Sequence, residues 1–347
     1  MLPPAALRLQ IDTEALAGNW RALNALSGLA VAGAAVKADA YGLGSERVAA
    51  TLLAAGCKDF FVAHWSEVPA VLRHVPPEAI AVLHGPNSAE DVRFALETGV
   101  RPVLNSLHQI GLWRQGGGGL CHVMVDSGMN RLGLEKTDLS SELLSDLQID
   151  ICMSHLASAD EDTRQNEEQL AAFAQLRSAI AARRYSLANS AGIALGSAFH
   201  ADLTRPGIAL YGGIARSELA GHVKQVARPE AAVLQVRTLQ EGDKVGYNAL
   251  FQADRQMRVG TLAIGYADGF LRCWTGHGCF RWQGRSAPTL GRISMDLTIV
   301  DLSDLPDCRE GDWLTAEYDL PSSARSTGLS QYELLTLLGR RFARPGA

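Results

Sequence analysis

The feature that most limits what this chain can fold into is a regular alternation. Short apolar runs recur at LAVAGAAVK (29–37), FFVAHW (60–65), IAVLHG (80–85), RPVLN (101–105), LCHVMVDSG (120–128), IDICMSHLA (149–157), YSLANSAG (185–192) and TRPGIALYG (204–212). Between them lie segments such as GSERVAATLLAAG, SAEDVRFALETG and RQNEEQLAAFAQLRSAIAAR, with apolar residues at helical spacing, Ser near several starts and Gly near several ends. Strands that are apolar on both faces belong in a parallel sheet covered by helices. Eight such units within roughly 200 residues predict an α/β fold, a (β/α)8 TIM-type barrel.

Past residue 226 the texture changes. AAVLQVRTLQ (231–240), MRVGTLAIGY (257–266), CFRWQGRSAPTL (279–290) and MDLTIVDL (295–302) alternate or run as short strands with few helical stretches between them. The 347 residues therefore divide into a barrel domain, 1–226, and a mostly β C-terminal domain, 227–347. In the final stretch STGLSQYELLTLLGRRFAR, Ser330 stands three residues ahead of Glu333, a capping-box spacing that predicts one short closing helix.

Composition argues against several function classes. Lys and Arg number 32 against 37 Asp and Glu, a formal net charge of −5, whereas neutralising a nucleic acid needs a basic excess or stripe. No run approaches the ~18 apolar residues of a membrane span, and MLPPAALRLQ lacks a basic segment followed by a long apolar one. The six cysteines (57, 121, 152, 273, 279 and 308) form no CxxC pair and predict buried thiols in a reducing compartment. The expectation is a cytoplasmic protein that acts on a small molecule, with no nucleic-acid, membrane or metal partner.

Barrel active sites form at the carboxyl ends of the strands. AVKADAYGLG places Lys37 at the first such end with Tyr41 just beyond; VDSGMNRLGL presents Arg131 after the fifth; His155 ends the sixth, Asn189 and Ser190 the seventh, and Arg205 the eighth. Each has an ordinary reading alone: a snorkelling lysine, a core histidine, a capping arginine, a turn serine. Together they make a cationic rim suited to an anion bearing a carbonyl, phosphate or carboxylate. A lysine there is suited to condensing with a carbonyl, and the N–H groups of Gly207 and Ile208 with Ser190 suit a phosphate.

In order, these blocks resemble those of the alanine racemases, fold-type III enzymes that use pyridoxal 5′-phosphate (PLP). AVKADAYGLG (35–44) is similar to the family's PLP-lysine motif, and VDSGMNRLGL (125–134), SHLASADE (154–161), ANSAG (188–192) and TRPGIALYGG (204–213) follow. The second domain adds VGYNALF (245–251), IGYADGF (264–270), GRISMD (291–296) and QYELLTLLGRRFAR (331–344), so the resemblance covers nearly the whole chain. It implies an isomerase that interconverts L- and D-alanine, with D-alanine serving bacterial peptidoglycan, in a head-to-tail homodimer.

By the same resemblance Lys37 carries PLP and is the base for one α-proton, while Tyr247, reaching the neighbouring subunit's barrel, is the base for the opposite face. Tyr41, Ser190, Gly207, Ile208 and Tyr332 hold the phosphate, with Asn189 beside them in the cofactor-binding set; Arg205 faces the pyridine nitrogen with His155 behind it. Arg131 and the backbone of Met295 hold the substrate carboxylate. Asp160, Tyr266, Arg272, Arg292 and Asp296 line the access channel. Elementary chemistry agrees, since racemisation removes a hydrogen from one face and returns one to the other, which calls for two bases on opposite sides. An always-protonated arginine opposite the pyridine nitrogen leaves that nitrogen unprotonated and the ring a weaker electron sink.

Three rivals share parts of this pattern. A racemase for serine, lysine or arginine carries the same motifs, and one methylene of pocket discriminates by only about 1–3 kcal/mol. A basic amino-acid decarboxylase is longer and sets an acid against the pyridine nitrogen, which Arg205 opposes. A PLP-carrier protein is a lone barrel, which residues 227–347 and Tyr247 oppose. One position also departs from the family: relatives usually carry a lysine seven residues before the carboxylate-binding arginine, carbamylated so that its charge orients the guanidinium, and here that position is Met124. A thioether takes no such charge. Either a bound anion or another acceptor of the chain replaces it, or Met124 packs beneath a guanidinium satisfied by water.

Overall fold

The chain opens with a strand, β1 (Leu7–Ile11), whose partner lies beyond residue 225. A computed structural model describes residues 3 and 5–345 and separates two units: residues 13–224, and the segment up to Asp12 together with the chain from Gln225 onward.

In the first unit come β2 (Val31–Ala32), β3 (Ala34–Ala35), β4 (Phe60–Val62), β5 (Ile80–Val82), β6 (Arg101–Leu104), β7 (Cys121–Met124), β8 (Ile149–Met153), β9 (Arg184–Ser186) and β10 (Leu203–Thr204). Strands β3 to β9 pair in sequence order, all parallel, and β10 pairs in parallel with β2. β2 and β3 are one strand interrupted at Gly33, where a Cβ would lie 2.8 Å from the Asp59 carbonyl oxygen and 2.9 Å from the Phe61 ring. Its N–H groups alternate between neighbours: Val31, Gly33 and Ala35 donate to the carbonyls of Asp202, Thr204 and Pro206, and Ala34 and Val36 to those of Asp59 and Phe61. On the far side of β10, Asp202 and Arg205 donate to the carbonyls of Tyr185 and Ala188 at 3.0 and 2.8 Å, which closes the expected ring. Phe61, Ala81, Val103, Met124, Ile151, Met153 and Leu203 pack together as its core. Burying each large side chain contributes about 1.5–3 kcal/mol.

Helices Ser45–Ala55, Ala89–Thr98 and Gln165–Ser178 form where the spacing predicts them. Ser88 Oγ caps the second by accepting the Asp91 N–H at 3.2 Å, and Gly99 ends it with φ 81°. Between β7 and β8 two 3-10 turns, Lys136–Ser140 and Glu142–Leu144, stand in place of a helix. At the amino ends of the strands, opposite the lysine rim, Arg184 pairs with Asp59 (2.8 Å) and Asp150 (3.0 Å), and Arg101 with Asp150 (2.5 Å). His122 is buried among these charges, its Nδ1 without a hydrogen-bond partner among the described residues, and burial pushes its pKa down to about 3.

The second unit contains β11 (Ala227–Leu239), β12 (Lys244–Val245), β13 (Phe251–Gln252), β14 (Met257–Leu262), β15 (Cys279–Trp282), β16 (Arg285–Leu290), β17 (Thr298–Asp301) and β18 (Trp313–Ala316). Antiparallel neighbours run β11–β14–β17–β16–β15–β18, and β18 returns to β11, so this sheet closes as well. β11 reaches β1, β14 and β18 because it is long and its register shifts between Val233 and Gln235, a bulge that bends it. β1 thus belongs with the β unit rather than inside a barrel spanning 1–226: Leu7 to Ile11 find their backbone partners on β11. The closing helix is Gln331–Thr336, with Ser330 Oγ accepting the Glu333 N–H (3.2 Å) and the Glu333 carboxylate accepting the Ser330 N–H (2.8 Å). All six cysteines are free thiols, and Cys273 and Cys279 are half-buried rather than buried. Among the described residues no helix is long and apolar enough to cross a membrane, and no group of three His, Cys, Asp or Glu is placed to hold a metal ion.

Candidate active site

Lys37 leaves the carboxyl end of β3 and is followed by an unusual turn. Ala38, Asp39, Ala40 and Tyr41, none of them glycine, are left-handed with φ of 54°, 52°, 53° and 57°. L-residues in this conformation cost roughly 1–2 kcal/mol each, so the surroundings must hold it. The Ala40 N–H bonds to the Val36 carbonyl, Gly42 to Ala38 and Gly44 to Asp39, each at 2.9 Å, while the Asp39 carboxylate accepts the Ser45 N–H at 2.7 Å. From the neighbouring strand end, Glu67 accepts the Ala38 N–H at 2.5 Å. The turn delivers Tyr41 to the rim, where its ring lies 4.7 Å from that of Tyr211 between centroids; the Tyr211 hydroxyl donates to the Ala35 carbonyl at 2.9 Å.

Asn189 Oδ1 accepts the Gly192 N–H at 2.9 Å and so caps the short helix Ser190–Ala194. Ser190 Oγ accepts the N–H groups of Gly207 (2.8 Å) and Ala209 (3.2 Å), which leaves its own hydrogen to donate. A Cβ at Gly207 would stand 2.2 Å from Tyr41 Oη, so a side chain there would force the Tyr41 ring to shift. Ile208, buried, begins the next 3-10 turn. Tyr41 and Ser190 thereby bring two hydroxyls to the backbone of Gly207, a polar cluster that fits phosphate oxygens.

Arg205 follows β10 and is buried, its guanidinium donating to the Ser186 hydroxyl and the Ser154 carbonyl. Burial brings its pKa down to about 10, so it stays protonated at neutral pH. His155 is held neutral: burial first, then Arg205, Arg131 and Lys37, push it down to about 3. The Lys37 amine is likewise lowered, by burial and by Arg131 and Arg205, against the opposing charge of Glu67. Arg131 itself is exposed, on a loop in which the Asp126 carboxylate accepts the N–H groups of Gly128 and Met129, both at 2.8 Å. Among the described residues no acceptor bonds to its guanidinium, and the Met124 side chain lies in the barrel core. Asp160 is exposed.

The remaining candidates lie on the β unit. Tyr247, 67% exposed, opens a 3-10 turn whose Asn248 and Ala249 have φ of 61° and 49°; Met295 is 53% exposed. Gly246, just before Tyr247, adjoins the backbone of Arg292. Tyr266 donates its N–H to the Ser294 carbonyl at 3.0 Å and carries the Arg272 guanidinium 5.1 Å from its ring centroid. Asp296 is paired with Arg341 at 2.7 Å, and Arg341 also grips the buried Asp268. Tyr332 is exposed on the closing helix.

Three residues near Lys37 escaped the sequence reading. His64 and His84, past β4 and β5, meet edge to face with centroids 4.2 Å apart, and His84 is lowered by burial, His64 and Lys37. The strand-end rule applies equally to the histidines of FFVAHW and IAVLHG. Glu67, a turn further on, has no comparable signal.

The family model for the alanine racemase N-terminal domain matches residues 11–215, and that for the C-terminal domain matches residues 226–345. The chain is 40% identical to the alanine racemase of Acidiphilium cryptum, across 97% of each chain. It is also 40% identical to the biosynthetic alanine racemase of Agrobacterium fabrum, across 98% of this chain and 93% of that one. The crystal structure of the Bartonella henselae alanine racemase, with covalently bound pyridoxal phosphate, superimposes with a TM-score of 0.88 at 36% identity, covering 98% of this chain and 99% of that one. Matched along almost its entire length, in both domains and in fold, the chain belongs to the alanine racemase family.

Proposed function

We propose that this protein is a PLP-dependent racemase that interconverts L-alanine and D-alanine. The observation that supports this most directly is Lys37: a lysine at a barrel-strand end whose pKa is lowered by burial and by two arginines, on the same rim as the Tyr41 and Ser190 hydroxyls beside Gly207. The covalent PLP of the Bartonella relative supports the same reading. When bound, PLP supplies the electron sink that acidifies the Cα–H of an amino acid. Lys37 offers an amine that gives up its proton more readily than a free lysine, to form the covalent link and to move the α-proton on one face. Tyr247 of one protomer serves the opposite face in its partner, in a head-to-tail homodimer; the exposure of Tyr247 and Met295 suits such a contact surface.

Tyr41, Ser190, Gly207, Ile208 and Tyr332 would hold the phosphate, and Asn189 secures the helix that Ser190 begins. Arg205 can only donate, so with PLP bound it would favour an unprotonated ring nitrogen and a weaker electron sink, while neutral His155 adds no further charge beside Arg205. Arg131 and the Met295 backbone orient the substrate carboxylate; Asp160, Tyr266, Arg272, Arg292 and Asp296 line the approach. The enzyme works in the cytoplasm and its D-alanine serves peptidoglycan. Borohydride reduction and peptide mapping should place a pyridoxyl label on Lys37, Lys37→Ala should abolish turnover, and alanine should exchange its α-hydrogen with solvent deuterium. A label elsewhere, or exchange of serine or a basic amino acid but not alanine, would overturn the proposal.

A further inference from the structure

β3 and β4 are parallel neighbours, with Ala34 opposite Phe60 and Ala35 opposite Phe61, so the segments leaving their carboxyl ends start side by side. Glu67 spans the gap between those segments. One carboxylate oxygen accepts the Ala38 N–H at 2.5 Å; the other accepts the N–H groups of Ala63 at 2.7 Å and His64 at 3.1 Å. All three donors are backbone groups, so what the carboxylate ties together is main chain. Only a carboxylate accepts at both ends; glutamine would turn an amide NH2 toward a donor at one of them. Ala38 directly follows Lys37 and is the first of the four left-handed residues, and with no glycine from 38 to 41 the turn carries a conformational cost that its hydrogen bonds must offset. Hydrogen bonds to an ionised acceptor are roughly twice as strong as neutral ones, and this one acts where the strain begins. Glu67 is also the negative charge acting on a lysine otherwise surrounded by Arg131 and Arg205, with His155 and His84 nearby.

We propose that Glu67 is a positioning residue: it locks the turn after Lys37 to the end of β4, fixing where the Lys37 amine sits and placing one negative charge beside it. The inference rests on Lys37 being the PLP-bearing base. Its test is Glu67→Gln, which keeps size but loses one acceptor end and the charge, measured on purified PLP-loaded enzyme. With Tm within about 3 °C of wild type, kcat should fall about tenfold or more while KM stays within about twofold, because sub-ångström misplacement of a reacting group acts on the chemical step. The pH midpoint of the bound-cofactor absorbance should move lower, since Arg131 and Arg205 would act on Lys37 unopposed while His64, His84 and His155 stay as they are. Glu67→Asp restores the charge on a shorter arm and should recover the pH midpoint but not kcat; it carries the test alone if Glu67→Gln fails to fold. Wild-type kcat and pH midpoint in folded Glu67→Gln, or wild-type kcat in Glu67→Asp, would overturn the proposal. Peptide mapping of reduced wild-type enzyme separates the two readings: a pyridoxyl label away from Lys37 refutes the functional assignment, whereas a label on Lys37 with a silent Glu67 refutes only the positioning role.

Discussion

Replacing Ala38 with glycine should stabilise the folded protein, the reverse of what glycine does in an ordinary helix. Ala38 is exposed at φ 54°, ψ 47°, so losing its methyl leaves no cavity. Glycine relieves a left-handed penalty of roughly 1–2 kcal/mol and loses about 0.5–1 kcal/mol more backbone entropy on folding than alanine. The balance is a gain of roughly 0–1.5 kcal/mol, centred near ~0.8 kcal/mol. For a unit the size of residues 13–224, 1 kcal/mol moves Tm by about 2–4 °C, which makes the expected rise about 2–3 °C. Ala171, exposed in the middle of the right-handed helix Gln165–Ser178, provides the control: Ala171→Gly should cost about 1 kcal/mol and lower Tm by a similar amount. The two variants and wild type would be compared by scanning calorimetry at matched protein and cofactor concentrations. A fall in Tm for Ala38→Gly as large as that for Ala171→Gly would show that the turn after Lys37 is not left-handed in solution.

Three other experiments probe the site and its scaffold. Gly207→Ala sets a methyl 2.2 Å from Tyr41 Oη, and should weaken PLP binding by about tenfold, or 1.4 kcal/mol, in equilibrium dialysis. Unchanged PLP binding in folded Gly207→Ala would show that the Tyr41 hydroxyl can yield to the methyl without loss. Lys37→Ala and Tyr247→Phe chains, each inactive or impaired alone, should regain activity when mixed and allowed to exchange subunits, and failure to complement would place both residues in one protomer's site. His122 has a folded pKa of about 3 against 6.5 for the unperturbed side chain, so between those values the unfolded chain binds a proton that the folded chain does not. Stability attributable to it is therefore complete above about pH 6.5 and declines as pH falls toward 3. His122→Leu should flatten the loss of Tm between pH 7.5 and pH 5.5 relative to wild type, and identical slopes would show that His122 is not held neutral.

Much of the architecture is legible without coordinates because it depends on neighbouring residues. Strand and helix periods, the Ser88 and Gly99 caps and the Ser330–Glu333 box are local, and they appear where the pattern puts them. The rim is legible for a related reason: strands that all run parallel deliver the residues at their carboxyl ends to the same side, so Lys37, His155, Ser190 and Arg205 can be gathered by position alone. What only the tertiary structure decided involves partners that no short-range pattern connects. β1 joins the β unit through pairing of Leu7–Ile11 with 227–231, a union made by backbone groups that every residue carries. The left-handed turn over Ala38–Tyr41 runs against the right-handed preference of alanine, and it is held by contacts that include a Glu67 oxygen from the adjacent strand end. The downward pKa shifts of Lys37 and His155 follow from burial and from the guanidiniums of Arg131 and Arg205, which distant segments bring in. A residue's type sets which proton it can hold; how tightly it holds that proton is set by what the rest of the chain packs around it.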